Sequence, residues 1–423
     1  MFRKCLRVEV AGVMLVFLIS GYAPAQTFKF ANLGDSRGND NGVNELILTE
    51  LVPALIAEPV ELVLFSGDLI NSGTEAELRH WVEVFMDPLR AAGIPVYPCR
   101  GNHDGNRSVW DNVFSGDYAF PANGPVGEIN ATYAVVHKNA LFLMADMNAF
   151  MLNYAWLAEQ LENNPLPHAF VTNHYPAFAV DHGGMLAYFP ELRDEMWNGL
   201  YAAGCATFFA GHDHFYNHAR IQDAAGNWVH QYVAGTAGAP LYDWNGTYAD
   251  SRVQAVSHYK NYGYVLGEVD GADVTLTFKQ RTAPGVYEAT DDVYSYRSAK
   301  ALPHARFSAL ETAGQVPLKV FFTDESLPGA GAISGWLWDF GDGTTSTEQN
   351  PEHLYTDYGA YTVTLTVSNE YGSDTVSQAN LVTAGLPAAT VSGMIVLACL
   401  LVLSAFHRFR RQSCAAERNR AWG

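Results

Sequence analysis

The sequence predicts an α/β domain, then a small antiparallel β-sandwich, then a C-terminal apolar helix. Three observations predict this. Apolar strands and helical repeats alternate from Gln26 to about Thr282. Beyond a polar stretch at 283–303 the helical period disappears, and Tyr361-Thr362-Val363-Thr364-Leu365-Thr366-Val367 alternates strictly, as a half-buried antiparallel strand does. Finally, Leu386 to Phe406 carries no charged side chain and is long enough to cross a bilayer.

The elements follow in order. Phe28 to Leu33 is an apolar run ending in Gly34-Asp35, and Val43, Ile47, Leu51 and Leu55 then repeat at helical spacing. Leu62 to Phe65 is a strand ending in Gly67-Asp68. Thr74 and Glu77 have the spacing of a capping box before a helix presenting Leu78, Trp81, Val82, Phe85 and Leu89 on one face. Ile94 to Tyr97 is a third strand, and later strands end at Asn173-His174 and Gly211-His212. Asn227 to Ala234 and Tyr262 to Lys279 are strand-like. In the second unit, Lys319 to Phe322, Gly335 to Phe340 and Ala379 to Val382 join the alternating strand.

The 423 residues carry 25 Lys+Arg against 44 Asp+Glu, a formal net charge of -19. This excludes an extended nucleic-acid surface, which needs a basic stripe. The basic residues gather at the ends. Arg3, Lys4 and Arg7 precede the apolar run Val10 to Ile19 and the small-x-small sequence Ala23-Pro24-Ala25, so 1–25 reads as a secretory signal. Arg408, Arg410, Arg411, Arg418 and Arg420 follow the apolar segment, so 386–407 reads as a transmembrane helix and 408–423 as a basic cytoplasmic tail. The expected location is therefore the cell envelope, exported and anchored by the C-terminal helix. This end resembles the C-terminal sorting tags of bacterial surface proteins, without their Pro-Glu-Pro. Of five cysteines, only Cys99 and Cys205 lie in the exported part, either as a bridge or as two buried thiols.

Polar clusters end the strands of the first unit: Gly34-Asp35-Ser36-Arg37, Gly67-Asp68, Gly101-Asn102-His103-Asp104, Asn173-His174 and Gly211-His212-Asp213-His214. Ligand sites of α/β sheets assemble at the carboxyl ends of strands. Carboxylates, an amide oxygen and imidazoles suit Mn, Fe, Zn or Mg, and the lack of nearby thiolates argues against a soft-metal site. The donors exceed what one ion needs. A pair of ions sharing a carboxylate accounts for them, and such a pair clamps a phosphoryl centre.

In these five motifs the chain from Phe28 to about Lys279 resembles a calcineurin-like metallophosphoesterase, related to the purple acid phosphatases. The resemblance implies a metallophosphoesterase αββα sandwich spanning 26–282, and the polar, Pro- and Ala-containing composition of 283–303 reads as a linker. It implies a hydrolase of phosphomonoesters or phosphodiesters, working through a metal-bound hydroxide, with two Mn, Fe or Zn ions. Asp35 and His214 then ligate the first ion, Asp68 bridges, and Asn102, His174 and His212 hold the second. His103 faces the substrate as an acid or charge stabiliser, and Asp104 orients it. His182 falls where purple acid phosphatases place a substrate-contacting histidine. The partner implied is a small phosphorylated substrate.

Arg37 departs from the pattern, because the family's usual ligand there is histidine and a guanidinium has no free lone pair. Either the first site is weak and completed by water, or Arg37 clamps a phosphate oxygen, or it pairs with a neighbouring carboxylate. That departure gives weight to an alternative function, a catalytically weakened surface binding or adhesion protein that keeps the fold. The second unit, 304–385, is similar to the PKD domain, an immunoglobulin-like sandwich, through Trp338-Asp339-Phe340-Gly341-Asp342-Gly343, Asn350-Pro351, His353, Tyr355 and Gly359-x-Tyr361. The resemblance implies a spacer, or contact with a cell-surface polysaccharide or protein. Trp338 and Phe340 are expected to point inward, and Asp342 to serve the turn.

Overall fold

The computed structural model describes residues 26–146 and 150–385. The expected leader, membrane helix and tail lie outside the described residues. Among the described residues no helix is long and apolar enough to cross a membrane.

Two sheets pack face to face in the first unit. One has the strand order Val286–Arg297, Asp273–Ala283, Gly263–Asp270, Thr27–Leu33, Leu62–Phe65, Val96–Pro98. The other runs Gln254–Tyr259, Tyr216–Gln222, Trp228–Ala234, Thr207–Ala210, His168–Thr172, Ala140–Met144, Tyr133–His137. Alternate residues of each inner face fill the space between. Phe30 of the first sheet meets Phe170 and Phe142 of the second at ring-centroid distances of 4.8 and 5.4 Å. Helices cover the outer faces. Helix Glu45–Ala57 buries Ile47, Leu48, Leu51 and Leu55, and Asn44 caps it by accepting from the Ile47 N–H. On the other side, Leu157 and Leu161 of Phe150–Glu162 pack with Trp197 and Leu200 of Pro190–Leu200. The layers are therefore helix, sheet, sheet, helix, the sandwich that the motifs imply.

The helical run Glu75–Ala91 buries the five apolar residues named above, with a π-helical turn at Val82–Met86 inside it. The capping box closes on one side only. Thr74 Oγ1 accepts from the Glu77 N–H, but Glu77 Oε2 takes the N–H of Ser72, at 2.8 Å, instead of that of Thr74.

The stretch read as a linker is corrected in most of its length. Val286–Arg297 is a strand paired antiparallel with Asp273–Ala283 at the edge of the six-stranded sheet. This strand turns alternate residues to the sandwich and to solvent. Here Tyr287, Tyr294 and Tyr296 supply most of that packing, and the intervening Glu288, Asp291, Asp292 and Ser295 hid the strand signature. What remains is short, and it is tied at both ends. Ser298 N donates to Ala272 O, Lys300 Nζ to Asn164 O, and Asn369 Nδ2 to Ala301 O.

The second unit is a sandwich of a three-stranded sheet (Phe307–Leu310, Leu318–Asp324, Glu352–Tyr355) and a five-stranded one (Ala313–Gln315, Gly372–Gly385, Gly359–Asn369, Gly335–Asp339, Thr345–Ser346). Trp338, Phe340 and Tyr355 are buried with Phe322, Val363 and Leu365. Asp342 Oδ1 accepts from Thr344 N at 3.0 Å, so it serves the turn. Cys99 and Cys205 are two separate buried thiols, and burial pushes the pKa of each up.

One inter-sheet tie titrates. His168, at the start of its strand, donates from Nε2 to the carbonyl of Gly271 in a turn of the other sheet, at 2.8 Å. It is fully buried, and burial pushes its pKa down to about 4. The unfolded chain therefore takes up the proton first as pH falls. The stability is complete above about pH 6.5 and is lost toward pH 4, by about 3 kcal/mol at 1.36 kcal/mol per unit. His168→Gln keeps a donor and removes the titration. Its unfolding free energy is expected to fall less steeply than that of the parent between pH 6.5 and 4. Parallel profiles in denaturant titrations would refute the assignment.

Candidate metal centre and active site

Three parallel strands of one sheet, Thr27–Leu33, Leu62–Phe65 and Val96–Pro98, end at one edge and release Asp35, Asp68 and Asn102. Two parallel strands of the other sheet, His168–Thr172 and Thr207–Ala210, release His174 and His212 beside them. Asp35, Asp68 and His212 have φ of 60°, 52° and 74°. That left-handed region is uncommon for residues with a Cβ, and such conformations collect at functional sites. Two glycines are required by close approach. A Cβ on Gly101 would lie 2.3 Å from Asp68 Oδ1, and one on Gly211 would lie 2.3 Å from Asp35 Oδ2.

Four donor atoms converge. His174 Nε2 lies 2.9 Å from Asn102 Oδ1, 3.3 Å from His212 Nδ1 and 3.4 Å from Asp68 Oδ1. His212 Nδ1 lies 3.2 Å from Asn102 Oδ1. The proton of His174 is fixed elsewhere, because Nδ1 donates to Ser66 O at 2.9 Å. In neutral His174, Nε2 is then a lone pair facing the lone pairs of Asn102 and Asp68. Burial, with His174 next, pushes the pKa of His212 down to about 2, so its ring is neutral. Donors about 2.1 Å from one ion stand roughly 3.0–3.4 Å from each other. These separations suit a borderline-hard cation with mixed N and O ligands, and Asp35 also brings a ligand atom within 4.8 Å of those of Asp68 and His174.

The first position is different. His214 donates from Nδ1 to Pro240 O at 3.1 Å, and its Nε2 stands 3.6 Å from Asp35 Oδ1. Asp35 Oδ2 accepts from the His212 N–H at 2.9 Å, whereas Oδ1 has no hydrogen-bond partner among the described residues. Arg37 enters from the other side. Its Nη2 donates to His214 Nε2 at 2.8 Å, its Nη1 donates to His103 Nε2, and its Nε lies 3.6 Å from Asp68 Oδ2. Burial first, and then this guanidinium, push the pKa of His214 down to about 4. Burial and the Asp68 charge push that of Asp35 up. The loop is held by Ser36, whose hydroxyl donates to Leu69 O and accepts from Trp81 Nε1.

His103 and Asp104 do not form the expected pair. Asp104 is turned inward and accepts the backbone N–H groups of Leu69, Ile70 and Gly101 at 2.7, 3.2 and 2.7 Å. Its oxygens are spent on closing the loop. The His103 ring is oriented by Asn71 O instead, 2.8 Å from Nδ1. His182 is brought to the site: its ring centroid is 5.9 Å from that of His212. Two residues missed from the sequence hold it. Asp213 Oδ1 accepts from His182 Nδ1 and from Tyr242 Oη, each at 2.8 Å. Asp213 was legible as the middle of His-Asp-His, but Tyr242 carries no motif. Asp181, His182 and Asp213 also gather oxygen and nitrogen donors, with His182 exposed. Tyr216 and His218 point away, into a buried network on Asp292 between the sheets.

A further residue unseen in sequence is Arg100. It forks onto Asp146 of the other sheet at 2.7 and 3.2 Å and donates to Gly105 O at 2.9 Å. The loop carrying Asn102 and His103 is thereby clamped across the sandwich.

Comparison with known proteins agrees with this layout. Residues 28–216 match the calcineurin-like phosphoesterases, and residues 301–384 match the PKD domain. The solved structure of the purple acid phosphatase PPD1 from yellow lupin (Lupinus luteus) seeds aligns with a TM-score of 0.50 at 15% identity, covering 65% of this chain and 55% of that one, which shows the shared fold. Collagenase ColA of Bacillus cereus is 47% identical over 58 residues, 14% of this chain and 6% of its own length. The pre-pro-metalloprotease PrtV of Vibrio cholerae is 47% identical over 77 residues, 18% of this chain and 8% of its own. The chain thus spans under a tenth of either of these relatives. Two sheets that deliver five family motifs to one edge, and a separate aromatic-cored sandwich, agree with those matches: residues 28–216 belong to a calcineurin-like phosphoesterase domain and residues 301–384 to a PKD domain.

Proposed function

We propose that the protein is an exported, membrane-tethered, metal-dependent phosphoesterase that hydrolyses phosphomonoesters or phosphodiesters. The observation that carries the reading is the convergence of Asp68, Asn102, His174 and His212, with the His174 proton turned away. A divalent ion bound there supplies Lewis-acid polarisation of a phosphoryl oxygen and lowers the pKa of water. The side chains do the rest. Arg37 spends one N–H of each Nη on an imidazole, which leaves the second N–H of each for phosphate oxygens. His182, held through Nδ1–H on Asp213 with half its side chain in solvent, contacts the substrate. His103 presents a lone pair to Arg37, so it positions the guanidinium. Asp104 is a loop-closing residue.

The basic leader and the apolar, arginine-flanked C-terminal segment support export and tethering. The PKD domain then spaces the catalytic domain from the membrane or touches a surface polysaccharide or protein.

The test is hydrolysis of nitrophenyl phosphate and bis(nitrophenyl) phosphate after chelation and re-addition of Mn, Fe or Zn. Turnover is expected to vanish on chelation and return with at least one metal. A folded protein that hydrolyses neither ester with any of them would leave the binding-protein reading standing and overturn this one.

A further inference from the structure

We infer that the Arg37 guanidinium is a built-in cation that takes the place of the first ion, so that the protein binds one metal ion, at Asp68, Asn102, His174 and His212. The inference rests on the metal-dependent reading above and departs from the two ions that the motifs imply.

The decisive atom is His214 Nε2. Its partner nitrogen is committed to Pro240 O, so the ring has one lone pair to offer. Arg37 Nη2 holds that lone pair at 2.8 Å. An ion on His214 and this hydrogen bond exclude each other. His103 offers its single lone pair to the other end of the same guanidinium, because its Nδ1 is committed to Asn71 O. Asp68 Oδ2 closes the third side. Two imidazoles and a carboxylate thus surround a planar cation: both Nη atoms donate to ring nitrogens, while Nε, without a hydrogen-bond partner among the described residues, faces Asp68 as an ion pair.

Charge agrees with geometry. Asp35 and Asp68 are two buried carboxylates. One guanidinium and one divalent ion leave the centre at +1, and an anionic phosphoester completes the balance. A second divalent ion would raise it to +3 before substrate arrives, with the guanidinium as a near neighbour. Asp35 Oδ1, 3.6 Å from His214 Nε2, has no hydrogen-bond partner among the described residues. Both would be free to take an ion once the guanidinium is removed.

The experiment loads the full-length protein and two variants with Mn(II), removes the excess by gel filtration, and reads bound metal per chain and the low-temperature electron paramagnetic resonance spectrum. The parent is expected to hold about one equivalent, with the spectrum of an isolated ion. Arg37→His should hold about two, with the spectrum of an exchange-coupled pair. Arg37→Ala, which frees His214 without adding a ligand, should gain a second, weaker equivalent. Two coupled ions in the parent would overturn the inference, as would one ion in both folded variants. If Arg37→His does not fold, the parent and Arg37→Ala decide. A folded parent that binds no Mn(II) would bring down the metal-dependent reading itself, an outcome distinct from a wrong count.

Discussion

Replacing Asp68 with asparagine is expected to lower kcat/KM for nitrophenyl esters about a thousandfold, corresponding to about 4 kcal/mol of transition-state stabilisation. The shape is kept. The amide oxygen of an asparagine still accepts the His103 N–H, which Asp68 Oδ1 takes at 2.8 Å. The charge is lost, and with it the only carboxylate of the four-donor cluster. Folding should be nearly unaffected without metal. The variant gives up the 3.6 Å contact with Arg37 but also relieves the repulsion that raises the pKa of Asp35. Metal-free thermal midpoints should therefore agree within about 3 °C, as expected for sites where function and stability oppose each other. Activity within tenfold of the parent at saturating metal would remove Asp68 from the centre.

The largest effect on stability is expected from Arg100→Met. Arg100 and Asp146 are both buried, and their fork joins the Asn102-His103 loop to the end of strand Ala140–Met144 on the other sheet. Depriving a buried carboxylate of its guanidinium costs about 3–5 kcal/mol. For a domain of this size that lowers the midpoint by roughly 10 °C. Turnover should fall as well, because Asn102 and His103 follow directly in the chain. The double variant Arg100→Met/Asp146→Leu should recover part of the stability, since it removes the buried carboxylate together with its guanidinium. It should not recover activity, because the loop stays unclamped. A single variant that melts with the parent would show the clamp to be dispensable.

The legible parts of the site were those with a chain-local signature. Asp35, Asp68, Asn102, His174, His212 and His214 each follow or precede a strand in a Gly- or Asn-marked turn, and each is found at the common edge. The role expected of Asp104 failed for a local reason that sequence does not display. Its neighbours Leu69, Ile70 and Gly101 present three N–H groups that need an acceptor, and the nearest carboxylate supplies it. The linker misreading has a similar cause. Val286–Arg297 shows one face to solvent and fills the other with tyrosines, so hydrophobicity alone does not mark it as a strand.

Sequence by itself determined the order of the elements, the two units, and the chemistry of the donor set. These rest on periodicity and residue type, which act over a few neighbouring positions. Only the tertiary structure decided which donors meet. Packing two sheets face to face placed Arg37, 177 positions from His214 in the chain, onto the lone pair that an ion would otherwise use. It likewise set Asp213 and Tyr242 under His182 and tied Arg100 to Asp146. A hydrogen bond depends on distance in space and on which nitrogen holds the proton, and neither is written in the spacing of residues along the chain.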